Sequence, residues 1–198
     1  LTFYPIVGQA IDCPDPATSG MNYAYDQTAD DGWQWVMSDS VCKGREGIDR
    51  FTVGKQAFEA ELEFSSDDAD GSDDCAFGFA KVDVHRAAID DCDEMAVLNV
   101  ISGDITIETI LNNGSTSTTD TTDNWADDEI HKLKVLVAKD GAVTYKIDGQ
   151  APSTTASFSF DQGEVVTPMM YFLQDSNLVP NLVLRKLIVK SNKGSLEE

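Results

Sequence analysis

Glu59, Glu61 and Glu63 stand two residues apart in QAFEAELEF, so a strand would set all three carboxylates on one face. Carboxylates grouped in this way are what glycosidic hydrolysis uses, one as the acid and a second as base or nucleophile. The only two histidines, His85 and His131, are candidate general bases, but neither has a nucleophile at a recognisable spacing and no G-x-S-x-G occurs. His131 opens an apparent strand just after Asp127-Asp128-Glu129, where a histidine more often sits on the surface or caps a turn. Five aspartates fall between Asp67 and Asp74, oxygen-rich enough for calcium, yet without the EF-hand spacing or its distal bidentate glutamate. A solvated acidic turn is the simpler expectation. Trp33, Trp35, Trp125 and Tyr171 offer rings for stacking on a sugar, although such rings in sandwich folds more often pack in cores or along edges. Cys13, Cys42, Cys75 and Cys92 contain no CxxC pair, so a structural zinc site is not expected. Two disulfides remain open, with Cys75 to Cys92 the first pairing to expect, against four thiols in a reducing compartment. No residue is assigned a catalytic, cofactor-binding or metal-binding role, and no cofactor is expected.

The elements that would position these residues centre on HKLKVLVAKDGAVTYKIDG, residues 131–149. Leu133, Val135 and Val137 alternate with polar neighbours except Leu136, as Val143, Tyr145 and Ile147 do throughout, and Lys139-Asp140-Gly141 supplies the turn of a β-hairpin. FTVGKQAFEAELEF adds a strand with Phe58, Ala60, Leu62 and Phe64 on its buried face. CAFGFAKVDV, MAVLNVISGDITIETIL with a turn at Ser102-Gly103-Asp104, ASFSF, EVVTPMMYFLQ and LVLRKLIVK continue the series, and Pro168 marks its strand as an edge or a bulge. NNGSTSTTDTTDN reads as a polar, low-complexity loop that cannot build a core. Three prolines in residues 1–31 predict an irregular N-terminal arm, with a hydrophobic tip at Phe3, Tyr4, Ile6 and Val7. The division expected is an arm over 1–31, a sandwich domain over 32–190 and a polar tail over 191–198. No helix of ordinary length and no internal repeat are legible.

At 198 residues and 41% hydrophobic, the chain is long enough to bury a full core as one domain. Its 35 acidic residues against 14 basic give a net charge of −21, which repels nucleic acid and anionic membrane surfaces. No apolar run approaches a membrane span. Nucleic-acid and membrane partners are therefore excluded as expectations.

The order FTVGKQAFEAELEF, CAFGFAKVD, HKLKVLVAKDGAVTYKIDGQAP, a Phe-rich strand and YFLQ…LVLRKLIVK resembles the concanavalin A-like lectin/glucanase superfamily, its laminin-G-like members above all. The resemblance covers roughly residues 50 to 190 and implies an all-β, two-sheet antiparallel jelly-roll sandwich. Glycanases of that superfamily carry E-x-D-x-x-E; here Glu61 replaces the Asp and Phe64 stands where the second Glu belongs. Lyases of the fold use a Q-x-H pair that this chain lacks. The acidic composition, TSTTDTTDNWAD and the missing catalytic signatures also resemble virion structural proteins of aquatic tailed phages. That resemblance implies a non-enzymatic capsid decoration or cement protein, located on the virion and docked on the major capsid protein or other virion subunits, with a homotrimer as the family's usual assembly. The alternative is a carbohydrate-binding, lectin-like module with a glycan partner, calcium-dependent or not.

Overall fold

The computed structural model describes residues 2–5, 15–17, 20–24, 32–36, 50–70, 72–82, 88–174 and 181–192. Fourteen strands among them, β1 (Thr2–Pro5), β2 (Asp15–Ala17), β3 (Gly20–Ala24), β4 (Gly32–Val36), β5 (Phe51–Thr52), β6 (Ala57–Ser66), β7 (Ser72–Lys81), β8 (Met95–Ile101), β9 (Asp104–Ile110), β10 (Ser117–Asn124), β11 (Ile130–Val137), β12 (Val143–Ile147), β13 (Val165–Gln174) and β14 (Asn181–Asn192), form two antiparallel sheets. The front sheet runs β1-β4-β13-β7-β8-β9-β10, with β5 also pairing β13; the back sheet runs β12-β11-β6-β14-β3-β2. This is the all-β jelly-roll sandwich that the strand pattern predicts. One three-residue 3-10 turn, Ile89–Asp91, is the only helical element among the described residues, and none is long and apolar enough to cross a membrane.

Alternation explains the packing. β6 buries every second residue, and Phe58, Ala60, Leu62 and Phe64 enter the space between the sheets. Leu133, Val135 and Val137 of β11 lie in register beside them, with Leu133 opposite Leu62 and Val135 opposite Ala60. From the front sheet come Cys75, Phe77, Phe79, Leu98, Ile105 and Ile107. Phe51 stacks on Phe58 at 4.7 Å and Phe79 meets Phe58 edge-on at 5.1 Å, the offset and T-shaped arrangements that ring quadrupoles favour. Each such side chain, fully buried, is worth about 1.5–3 kcal/mol of transfer free energy. The 131–149 hairpin forms as expected, and Gly141, at φ 94°, supplies the left-handed residue of its turn.

Four expectations change. Ser117–Asn124, read as a loop, is an edge strand paired to β9, because its threonines suit an extended backbone and an edge needs no second apolar face. Thr121 is its one buried residue, and its hydroxyl donates to the Ile105 carbonyl. Pro168 lies inside β13 at the centre of the front sheet and not at an edge. Its register partner on β7 is Phe79, and on its other side it falls between the end of the β5 pairing at Val166 and the start of the β4 pairing at Met169. A residue without an N–H fits that gap. Ser159 makes only an isolated bridge to Ala142, so ASFSF is no full strand. Finally, parts of 1–31 pair into the sheets as β1, β2 and β3 where an irregular arm is predicted, with Pro5 at the last position of an edge strand.

Candidate functional site

The front sheet has a second, outward face, and that face is not uniformly wet. Ala76, Ala80, Met95, Val97, Ile110, Met169 and Tyr171 form a separate apolar cluster there, closed over by Ile89 and Cys92 from the 88–94 segment. Beside this apolar half lies a polar one. Asp74, Asn99, Thr106 and Glu108 project from three adjacent strands, β7, β8 and β9, because each shares the alternation phase of the outward set. Thr118 and Asp120 of β10 extend it, opposite Glu108 and Thr106 respectively.

Asn99, with no exposed surface, is the hub. Its amide nitrogen donates to Asp74 Oδ1 at 2.6 Å and to Glu108 Oε2 at 2.9 Å, and its amide oxygen accepts from the Cys75 N–H at 2.9 Å. The Thr106 hydroxyl donates to the Asn99 carbonyl at 3.1 Å, and the Thr118 hydroxyl donates to Glu108 Oε1 at 3.1 Å. Glu108 is 5% exposed. Burial pushes its carboxyl above the usual carboxylate range; the bonds from Asn99 and Thr118 pull back, and the Asp90 carboxylate pushes further up. Asp90 itself accepts from the half-buried Thr116 hydroxyl. Asp74 and Glu108 thus share one amide, and Asp90 adds a further negative charge near Glu108. Chemically, the patch offers a fixed array of acceptors, two hydroxyl groups and one carboxyl disposed to hold its proton.

Glu59, Glu61 and Glu63 lie on the opposite side of the molecule, on the outer face of the back sheet. They meet lysines there: Lys134 is 2.7 Å from Glu61 and 3.7 Å from Glu59, Lys132 is 3.5 Å from Glu63, and Lys190 is 3.7 Å from Glu59. Glu61 and Glu59 also raise the Lys134 ammonium above its ordinary value. This is an ion-pair ladder and not an acid/base pair. His131 is clamped by Asp148 Oδ2 at 2.6 Å on Nδ1 and by Glu129 Oε2 at 3.1 Å on Nε2, so neither ring nitrogen is left to a hydroxyl nucleophile. The Ala126 N–H and then His131 hold the Glu129 carboxyl below its usual range.

Trp125 is 2% exposed, packed at 4.3 Å on Phe64 and 4.6 Å on His131, and Tyr171 is 2% exposed. Neither ring is open for stacking. Trp33 and Trp35 belong to β4, but their side chains, like His85, lie outside the described residues. In the acidic stretch, Asp74 leaves for the front face while the Ala69 N–H is held by Asp127 Oδ1 at 2.8 Å. No group of three or more candidate ligands among the described residues is arranged to hold a metal.

No disulfide joins Cys75 to Cys92, which corrects the pairing expected between them. Cys75 faces the space between the sheets and Cys92 the outer cluster, so a sheet separates them. Burial, with Asp74 adding to it, pushes the Cys75 thiol far up, which makes it a small hydrophobe and not a nucleophile. Cys13 and Cys42 lie outside the described residues.

Asp74, Asn99 and Glu108 do not stand out as site residues in the linear chain. A signal is nonetheless present: Asn99 interrupts a β8 that is otherwise apolar on both faces, and Glu108 is a carboxyl within the buried run 105–110 of β9, so each is a polar side chain in a buried run.

No family model matches the chain and no curated protein matches its sequence. Solved structures do. A family 7 alginate lyase, A1-II′ in complex with product, is similar at TM-score 0.58 and 12% identity, covering 87% of this chain and 80% of that one. The carbohydrate recognition domain of Emp47p gives TM-score 0.57 and 12% identity over 96% and 88% of the two chains. The alginate lyase PA1167 from Pseudomonas aeruginosa gives 0.55 and 10% over 93% and 88%. At these identities the likeness shows the fold, and the fold is the concanavalin A-like jelly roll. The expectation that the chain is not an enzyme does not stand. It rested on the missing catalytic signatures, the lyase pair among them, and alginate lyases, which are enzymes, share this architecture. None of these three similar structures is a virion protein.

Proposed function

We propose that the chain recognises a carbohydrate on the outer face of its front sheet, through the acceptor array of Asp74, Asn99, Glu108 and Thr118. The observation that carries this reading is the fully hydrogen-bonded polar patch on a sheet face whose other half is apolar. Sugars present hydroxyl donors, and the half-buried Asp74 and exposed Thr118 at the rim of the patch offer acceptors to them. Carbohydrate recognition domains and alginate lyases among the similar folds support the same reading.

Charge narrows the glycan. Asp74, Glu108, Asp90 and Asp120 around the patch, in a chain of net charge −21, repel polyuronates and sulfated chains. A neutral glycan is the class this face accepts. The test is an array of neutral and anionic glycans probed with the full chain, followed by titration of the strongest hit. Saturable binding to a neutral glycan, weakened at least tenfold by Asn99→Ala, is the expected result. Binding confined to anionic glycans, or unaffected by Asn99→Ala, would refute it.

A further inference from the structure

The apolar half of the outer front face is covered. Ile89 and Cys92, carried by residues 88–94, close over Met95, Val97, Met169 and Tyr171. This segment is a strap, with one 3-10 turn as its only regular structure. It is fastened to the sheet by the Thr116 hydroxyl donating to the Asp90 carboxylate, by the Asn113 N–H donating to the Asp93 carbonyl at 2.8 Å, and by the Lys81 N–H donating to the Glu94 carbonyl at 2.9 Å.

Glu94 stands where the strap runs into β8. It has no exposed surface, and neither of its carboxylate oxygens makes a hydrogen bond. Its one cationic neighbour among the described residues is the Lys81 ammonium, 3.7 Å from Oε1, and that ammonium is held closer by Asp93 at 2.7 Å and by Glu164 at 3.2 Å. The charged groups that face Glu94 are thus Lys81 from β7, Asp93 from the strap itself, and Glu164 and Asp161 from the turn leading into β13. Three carboxylates sharing one ammonium leave an ionised Glu94 poorly compensated, and a buried charge in that position is costly. Burial, then the Glu164 carboxylate, holds its carboxyl above the usual range, while Lys81 pulls back.

We propose that residues 88–94 are a proton-gated strap over the apolar half of the carbohydrate face, shut while Glu94 keeps its proton and released when it ionises. The strap's part in binding rests on the carbohydrate reading above. Asp74 and Thr118 at the rim keep their exposure with the strap shut, and the apolar ground beside them is bared to the C–H faces of a sugar only when it lifts. A carboxyl that folding raises stabilises the closed form below its unfolded value and loses that contribution as pH climbs through its folded value. The strap is therefore shut in acid and opens toward alkaline pH. Opening breaks only the fastenings named above and the packing of Ile89 and Cys92, so it is a local event that leaves both sheets paired.

The test is amide hydrogen exchange on the full chain without glycan at pH 5 and pH 8.5, read as protection factors so that the acceleration of exchange by base divides out. The reporters are the N–H groups of Cys92, Asn113 and Lys81, which bond within the strap or to it, and the amides of β11 in the back sheet are the reference. Protection at the reporters should fall at least tenfold between the two pH values while β11 keeps its own. Glu94→Gln should show no such fall, and Glu94→Leu, which cannot ionise either, gives the same answer should the first variant fold poorly. A fall that persists in these variants, or no fall in the wild type, overturns the strap. Titration with a neutral glycan follows: affinity should rise at least threefold from pH 5 to pH 8.5 in the wild type and stay level in Glu94→Gln. Opening without any glycan binding overturns the carbohydrate reading and leaves the strap standing, whereas binding with pH-independent exchange overturns the strap alone. Affinity that stays level while the strap opens refutes its part in binding.

Discussion

Asn99→Asp is the substitution that most directly tests whether one amide holds the outward patch together. It keeps the shape of the side chain and replaces the donating nitrogen with an acceptor. The bond from the Cys75 N–H survives, since either carboxylate oxygen accepts it. The two bonds to Asp74 and Glu108 do not, and three carboxylates then crowd a site where Asn99 and Glu108 are both buried. A hydrogen bond to a charged group contributes about 1.5–3 kcal/mol, the lower end applying to the half-exposed Asp74, so the loss at pH 7 comes to about 3–4 kcal/mol. At roughly 2–4 °C per kcal/mol for a domain of this size, the melting temperature should fall by about 10 °C. The loss must also depend on pH. A carboxyl raised by burial and like charge stabilises the fold below its unfolded value and loses that contribution as pH climbs through its folded value. Urea denaturation at pH 4.5 and pH 7 should therefore show a smaller penalty at the lower pH, and adding Glu108→Gln should return part of the stability at pH 7. An equal penalty at both pH values, or a penalty below about 1 kcal/mol, would show that the amide does not hold the carboxylates and would remove the basis of the site.

Three further outcomes follow from the same structure. Gly78 has no room for a side chain, since a Cβ would lie 2.3 Å from the Ala96 carbonyl oxygen and 2.8 Å from Val97 Cα, so Gly78→Ala should cost about 2 kcal/mol or more. Gly149→Ala, with nothing within 4 Å and only a φ of 82° against it, should cost about 1 kcal/mol; equal costs by chemical denaturation would refute the contrast. Glu94 has no exposed surface and neither carboxylate oxygen makes a hydrogen bond; burial, then Glu164, raises its carboxyl. Glu94→Gln should accordingly gain about 1 kcal/mol at pH 7.5 and nothing near pH 4, where the carboxyl is protonated in both states, and a loss at pH 7.5 would count against this. Lys134→Met removes the centre of the back-sheet ladder, yet such half-exposed pairs are screened, so its cost should stay below about 1 kcal/mol and shrink with added salt. A cost that stays above about 2 kcal/mol in high salt would show the ladder to be structural.

The parts of the fold that were legible are those where one face is wet. Phe58 through Phe64 and Leu133 through Val137 alternate because the outer back sheet is solvated, and a period of two is then visible in the chain. β8 and β13 gave runs without alternation because both of their faces are covered, by the inter-sheet core on one side and the outer cluster on the other. β10 failed for the opposite reason: an edge strand with a single buried residue, Thr121, has no apolar period to show.

The candidate site was missed for a reason that belongs to sheets in general. Carboxylates at i, i+2 and i+4 of one strand are visible in a linear chain, as Glu59, Glu61 and Glu63 are, yet their spacing fits lysines on β11 and β14 equally well. Asp74, Asn99 and Glu108 are 25 and 9 residues apart and meet only because β7, β8 and β9 pair in a particular register. Shifting either pairing by one residue would turn Asn99 or Glu108 inward, into the core between the sheets. What fixes the register is the apolar content of the inner positions, with Phe77 opposite Leu98 and Leu98 opposite Ile107. The polar constellation is thus positioned by residues that do none of its chemistry. It becomes visible in the sequence only as Asn99 and Glu108, two polar side chains in strands that have no wet face to account for them.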